Sequence, residues 1–240
     1  MHRFFLTPAD IVSEELLLVR SSELVHQWTK VLRFEIGEHI KVFDGSGFEW
    51  EVEIAEMKSK EIFAKVVGKS RPETEFPVKV FLAQSFLKNV DRFELVLQKG
   101  TELGFSGFIP LITDRTERKF LQKGERFQRI ITEAAEQSGR VAVPEFLEPM
   151  SFSDVLKKYP FVILPHPAGE ISFAMFRKSL PKIPQEMVFC VGPEGGFSDR
   201  EILLAQESGV HIVSLGCRIL RSETVSMVLG AALNEWIGQL

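Results

Sequence analysis

The chain has 240 residues, 45% hydrophobic and 26% charged, a balance that excludes intrinsic disorder and suits one large domain or two unequal ones. Its formal net charge of −4 excludes coating nucleic acid by bulk attraction, although a local basic surface is compatible with an acidic chain. No apolar run is long enough to span a bilayer, Met1–Pro8 lacks a signal-peptide core, and Cys190 and Cys217 make no disulfide framework, so a cytoplasmic protein with reduced thiols is expected.

Residues 1–72 read as a β-rich domain. The spacing of Leu24, Val25, Trp28, Val31 and Leu32 predicts a helix over Ser22–Leu32 with those residues on one face. Residues 40–54 alternate apolar and polar around Asp44-Gly45-Ser46-Gly47, which predicts two paired strands, and 61–67 predicts a third. Together these suggest a small barrel or sheet with a helix against it. Arg71–Pro77 reads as a linker, and 73–240 as a second domain.

In that second domain strands alternate with helices. Val78–Gln84 and Gly107–Thr113 are expected strands, Val90–Leu103 is an amphipathic helix stopped by Gly104, and Glu125–Ser138 is another helix. Phe161–Pro165 and Met187–Gly192 read as strands buried on both faces, and His211–Leu215 as a further strand. Ser198-Asp199-Arg200-Glu201 is a capping box, and Thr224–Gln239 a final helix that is apolar nearly all round. The pattern is α/β with a mainly parallel sheet.

Ligands of such sheets bind beyond the carboxyl ends of the strands, which singles out three loops: Leu164–Glu170, Gly192–Ser198 and Leu215–Thr224. Gly192-Pro193-Glu194-Gly195-Gly196 allows unusual backbone angles and close approach to a ligand. It is neither a dinucleotide fingerprint nor a phosphate-binding P-loop. The five histidines and two cysteines show no metal-ligand spacing, so no metal is expected. Cys190 reads as an inert core thiol, while Cys217 has no evident catalytic partner.

The stretches Val191-Gly192-Pro193-Glu194-Gly195-Gly196-Phe197-Ser198 and Leu215-Gly216-Cys217-Arg218-Ile219-Leu220-Arg221-Ser222-Glu223-Thr224 resemble the two signatures of the RsmE family of 16S ribosomal RNA methyltransferases. Gln98–Gly104, Glu133–Arg140, His2–Phe5 and Val31–Arg33 agree with the same family, so the resemblance runs the length of the chain. It implies an N-terminal PUA-like barrel, a C-terminal SPOUT domain with a trefoil knot, a homodimer, and methyl transfer from S-adenosyl-L-methionine to uridine N3 without a metal. Gly100 inside a helix and Val225-Ser226 after Thr224 depart from the family's usual residues.

On this resemblance the cofactor falls to Leu164, Pro165, His166, Val191, Gly192, Pro193, Glu194, Gly195, Gly196, Leu215, Gly216, Ile219, Leu220, Arg221 and Thr224. Ile219 and Leu220 would pack on adenine. Arg140 and Arg221 are expected to meet the uracil or its phosphate, while Glu194 and Glu223 either orient them or act as a base. The plainer reading makes Glu194 an acceptor of loop amides and Arg218 and Arg221 surface or structural ion pairs. N3 lies on the Watson–Crick edge, so the base must be unpaired or flipped out. Arg3, Arg33, Lys88, Arg115, Arg118 and Arg140 are candidate RNA contacts, with the ribosomal small subunit as partner and no role for a membrane. A SPOUT enzyme acting on tRNA or a ribose hydroxyl, and a non-catalytic assembly protein, remain as alternatives.

Overall fold

Short apolar runs broken by turns fold the N-terminal part into a six-stranded sheet in the computed structural model, which describes residues 1–116 and 124–238. The chain forms two units, Met1–Glu75 with Ala135–Val143, and Phe76–Ala134 with Pro144–Leu240. The first unit thus takes in a distant segment that lies well beyond the linker.

In the first unit, β1 (Arg3–Phe5), β2 (Ile11–Val12), β3 (Leu16–Val19), β4 (His39–Phe43), β5 (Glu49–Met57) and β6 (Ile62–Ser70) lie in the order β1-β4-β5-β6-β3-β2. The paired strands expected over 40–54 are β4 and β5, antiparallel with Val42 opposite Trp50. One face carries Val42, Val52, Ile54, Ile62 and Ala64, all fully buried. The expected helix divides into α1 (Ser22–His26) and a wider π-helical turn over Gln27–Val31. Leu32 N–H reaches back five residues to the Gln27 carbonyl. This extra residue per turn shifts the face: Leu24, Val25 and Trp28 stay buried, whereas Val31, expected on the same stripe, is 62% exposed.

The second unit is built on an eight-stranded parallel sheet. Its strands are β7 (Lys79–Ser85), β8 (Gly107–Ile112), β9 (Glu145–Phe146), β10 (Met150–Ser151), β11 (Val162–Pro165), β12 (Ile171–Ser172), β13 (Glu186–Val191) and β14 (His211–Ser214). The order is β10-β8-β7-β13-β11-β14-β12, with β9 also on β8. The helices are α2 (Val90–Glu102), α3 (Gly124–Ser138), α4 (Phe152–Lys158), α5 (Phe173–Ser179), α6 (Asp199–Glu207) and α7 (Ser222–Ile237). Val188, Phe189 and Cys190 on β13 are fully buried, as a strand covered on both faces requires. Burial pushes the Cys190 thiol far up, which keeps it protonated and inert. Because β13, β11 and β14 are neighbours running the same way, the three loops that follow them emerge side by side.

Gly100 has a packing reason to sit inside α2. A Cβ there would lie 2.6 Å from Cε1 of Phe108, itself 1% exposed on β8. Alanine at Gly100 should therefore destabilise the protein although it favours helix. Overpacking costs about 1–3 kcal/mol, against a helical gain of about 1 kcal/mol. The expected result is a lower urea midpoint for Gly100→Ala, and a midpoint at or above that of the parent chain would contradict this account.

Candidate active site

The loops after β11, β13 and β14, with the first turn of α7, enclose a cleft of about 580 Å³, within the range of small-ligand sites. Its wall includes Pro165, His166, Val191, Gly192, Pro193, Glu194, Gly195, Gly196, Ile219, Leu220, Arg221 and Glu223, which the sequence singled out. It also includes Pro167, Phe197 and Ser222, which lie in the expected loops but were not assigned to the cofactor, Arg92 and Val225 from outside those loops, and Arg115, which the sequence assigned to RNA. Among the residues expected at the cofactor, Leu164 on β11 is fully buried in the core, and Leu215, Gly216 and Thr224 are not in the wall.

Local physics fixes each loop. After β11, the His166 N–H bonds the Val213 carbonyl at 2.8 Å. Gly169 then passes so close to β14 that a Cβ would lie 2.4 Å from the Val213 carbonyl carbon, so no other residue fits. Partial burial lowers the His166 pKa and favours the neutral imidazole. After β13, Gly196 adopts φ +68°, and its N–H closes a turn onto the Pro193 carbonyl. The loop then enters α6 through the capping box expected from the sequence, Ser198 with Glu201. Glu201 Oε1 also accepts the Asp114 N–H at 2.9 Å, and the Ser198 hydroxyl donates to Asp114 at 2.6 Å. Hydrogen bonds from Arg200 and Ser198 hold the Asp114 carboxyl below the usual range.

The first turn of α7 is held by a buried polar network. The Ser222 hydroxyl donates to the Gly192 carbonyl at 2.6 Å, and Gln84 Nε2 donates to Ser222 Oγ at 2.9 Å. The Ser226 hydroxyl donates to Gln84 Oε1 at 2.6 Å, which sets which way the Gln84 amide points. Ser226, a departure from the family's usual residue, thus has a defined role in this chain.

The charged groups divide into spent and available ones. Glu194 is exposed and its Oε1 accepts the Lys88 backbone N–H at 3.1 Å, which ties the β13 loop to the end of β7. Arg115 is exposed and donates to the Gly195 carbonyl at 2.7 Å. Lys88, Arg115 and Glu194 line an adjoining hollow of about 310 Å³. Arg221 is exposed at the N-cap of α7. Glu223, one position into the helix beyond Ser222, is 9% exposed. Its Oε1 lies 3.6 Å from Arg92 Nε, and its Oε2 has no hydrogen-bond partner among the described residues.

Two of the expected RNA contacts are engaged with partners inside the first unit. Arg3 is bonded to Glu49 at 2.6 Å and to the carbonyls of Glu136 and Arg140 at 3.1 Å. Burial raises the Glu49 pKa, but hydrogen bonds from Lys41 and Arg3 outweigh it and the net shift is downward. Arg140 is 4% exposed and its Nη2 lies 2.5 Å from Glu75 Oε2. The Arg140 side chain is buried and that of Arg3 largely so, and both hold segments of the first unit together, so neither is an exposed cation in this structure. The sequence showed the arginines but not that Glu49 and Glu75 would claim them. Arg33 is exposed, at φ +56°. Arg118 lies outside the described residues, and among the described residues no cluster of metal-ligating side chains occurs.

Comparison with known proteins agrees with this geometry. Residues 74–234 match the model of an RNA methyltransferase domain, and residues 29–67 that of an RNA methyltransferase PUA domain. A ribosomal RNA small subunit methyltransferase E from Synechocystis is 34% identical over 97% of this chain and 77% of its own length. One from Bacillus subtilis is 32% identical over 98% and 96%. Among solved structures, the methyltransferase E of Neisseria gonorrhoeae bound to S-adenosyl methionine superposes with a TM-score of 0.88 at 29% identity, covering 98% of this chain and 97% of that one. A putative methyltransferase from Legionella pneumophila in complex with the same cofactor gives 0.85 at 32% identity, covering 97% and 96%. With an RNA methyltransferase domain spanning most of its length and full-length relatives above 30% identity, the chain belongs to the ribosomal RNA small subunit methyltransferase E family.

Proposed function

We propose that this protein methylates N3 of a uridine in the 16S RNA of the small ribosomal subunit, in the cytoplasm, with S-adenosyl-L-methionine as methyl donor. The observation that carries this reading is the cleft itself: three glycine- and proline-bent loops at the ends of adjacent parallel strands, with arginines and a half-satisfied carboxylate in the wall.

The residues fit the donor. Much of the wall is loop backbone at Gly192, Gly195 and Gly196, free to bond adenosine and methionine without side chains in the way. Ile219 is 89% exposed and offers apolar surface that an adenine ring would cover. When bound, S-adenosylmethionine supplies a methyl carbon on a positively charged sulfur. The protein's part is to hold the target nitrogen in line with that carbon, for which positioning alone is worth several powers of ten in rate. Arg221, at the rim, is assigned to the substrate's phosphate or carbonyl oxygens, where it would stabilise the anion that forms as N3 loses its proton. Lys88, Arg115 and Arg33 are the described arginines and lysine from the expected set that remain as RNA contacts.

The protein is further proposed to act as a homodimer. Val225, Met227, Val228, Trp236 and Ile237 on α7 are only partly covered within one chain, and an apolar helix of this kind suits a symmetric interface. Light scattering is expected to give twice the 27.2 kDa of one chain, and a monomer at micromolar concentration would overturn the assignment.

The decisive experiment combines labelled S-adenosylmethionine with small subunits lacking the modification, followed by nucleoside mass analysis. 3-Methyluridine is the expected product. A 2′-O-methylated nucleotide, methylation of tRNA instead, or no cofactor binding by calorimetry would each refute the proposal. Arg221→Ala should cut turnover at least tenfold while stability stays within about 0.5 kcal/mol, as for other surface substitutions. Unchanged turnover would remove Arg221 from the reaction.

A further inference from the structure

Glu223 combines features that the rest of the cleft lacks. It is nine-tenths buried, it lies in the wall, and Oε2 is without a partner among the described residues. A carboxylate oxygen withdrawn from water is unfavourable until a donor reaches it. Glu194, the other carboxylate of the wall, is exposed and already holds the Lys88 N–H. Beside Glu223, Arg92 offers a guanidinium that the loop motifs did not predict, because it comes from α2, more than a hundred residues earlier.

An acceptor and a cationic donor side by side are the complement of a uracil edge. Uracil presents N3–H as a donor flanked by carbonyl oxygens as acceptors. Cytosine presents a bare N3 beside an amino group, the reverse pattern, which would set lone pair against carboxylate and amino group against guanidinium. We propose that the Glu223–Arg92 pair reads this edge: the Glu223 carboxylate, turning its unpartnered oxygen toward the cleft, accepts the N3–H of the target uracil, and Arg92 donates to an adjacent carbonyl oxygen. This deepens the uridine-N3 reading above and rests on it.

The same contacts serve the reaction. The N3–H bond breaks as its proton passes to Glu223 and its electron pair stays on nitrogen. N3 bonds the methyl carbon, and the carbon–sulfur pair leaves with the sulfur, cancelling its charge. Glu223 then returns the proton to water. Arg92 stabilises the negative charge that gathers on the uracil oxygen during the transfer. A site whose buried polar groups need a donor at one position rejects a base lacking it far more strongly than an apolar pocket could.

The test uses the full-length protein. Glu223→Gln keeps the shape and replaces one acceptor oxygen by an amide donor. Calorimetry should give S-adenosylmethionine affinity within twofold of the parent, and single-turnover methylation of unmodified small subunits should fall at least a hundredfold. The residual rate should climb with pH as uracil ionises unaided, over a range where the parent's rate is flat. Parent-like rate and pH profile would overturn the proposal. So would a tenfold loss of cofactor affinity with normal chemistry at saturation, which would place Glu223 on the methionine ammonium instead. If Glu223→Gln fails to fold, Arg92→Lys decides. It should keep cofactor affinity and lose at least tenfold in rate, and a parent-like rate would again overturn the pair. A parent product other than 3-methyluridine would sink the underlying reading separately, whatever the variants do.

Discussion

The Ser222 hydroxyl, bonded to the Gly192 carbonyl at 2.6 Å, joins two walls of the cleft that are 30 residues apart in sequence. Everything at the rim depends on that bond. It fixes the first turn of α7, and so the directions in which Arg221 and Glu223 leave the chain on either side of Ser222. The bond is itself fixed from behind, because Gln84 donates to Ser222 while accepting from Ser226. Gln84 is 1% exposed and Ser226 2%, so these polar groups have little water to turn to. A buried network of this kind is stabilising only while every member is satisfied, which makes it a stiff support rather than an adjustable one. The end of β7, the β13 loop and α7 therefore hold one arrangement before any ligand arrives, and preorganisation of this sort is where positioning catalysis begins.

The sequence disclosed these parts unequally. The long, strongly periodic elements were legible: β4 with β5, α2, α3, and the buried runs that became β11 and β13. So was the capping box at Ser198. The strands of two residues, β2, β9, β10 and β12, carry no period to detect, and α4 and α5 are too short at seven residues each for one to stand out. Val31 came out of the apolar face because a π turn adds a residue that a 3.6-residue wheel does not count. At the site, local motifs located the loops and hence most of the wall. They could not supply Arg92 or Gln84, nor the claim of Glu75 on Arg140, since each is a pairing across tens of residues that only the fold brings about. A motif indicates where the backbone bends, and charge pairing over long separations decides which of the nearby ionic groups remain free to act.

That division matters most for the electrostatics of the cleft. A sulfonium donor carries positive charge, and the wall already holds Arg92, Arg115 and Arg221. With arginines alone the cleft would repel the donor it is proposed to bind, because like charges a few ångströms apart cost on the order of several kcal/mol at the effective dielectric of a protein surface. Glu194 and Glu223 answer this from inside the same wall. The two sit differently: the exposed Glu194 is screened by solvent, whereas the buried Glu223 is little screened and is held in its charged form by the amide groups of the α7 N-terminus. Once the methyl group moves, the sulfur becomes neutral and the balance shifts toward the carboxylates. The chain's net charge of −4 fits the same logic. On the proposed reading, attraction to RNA comes from a few local cations rather than from bulk charge.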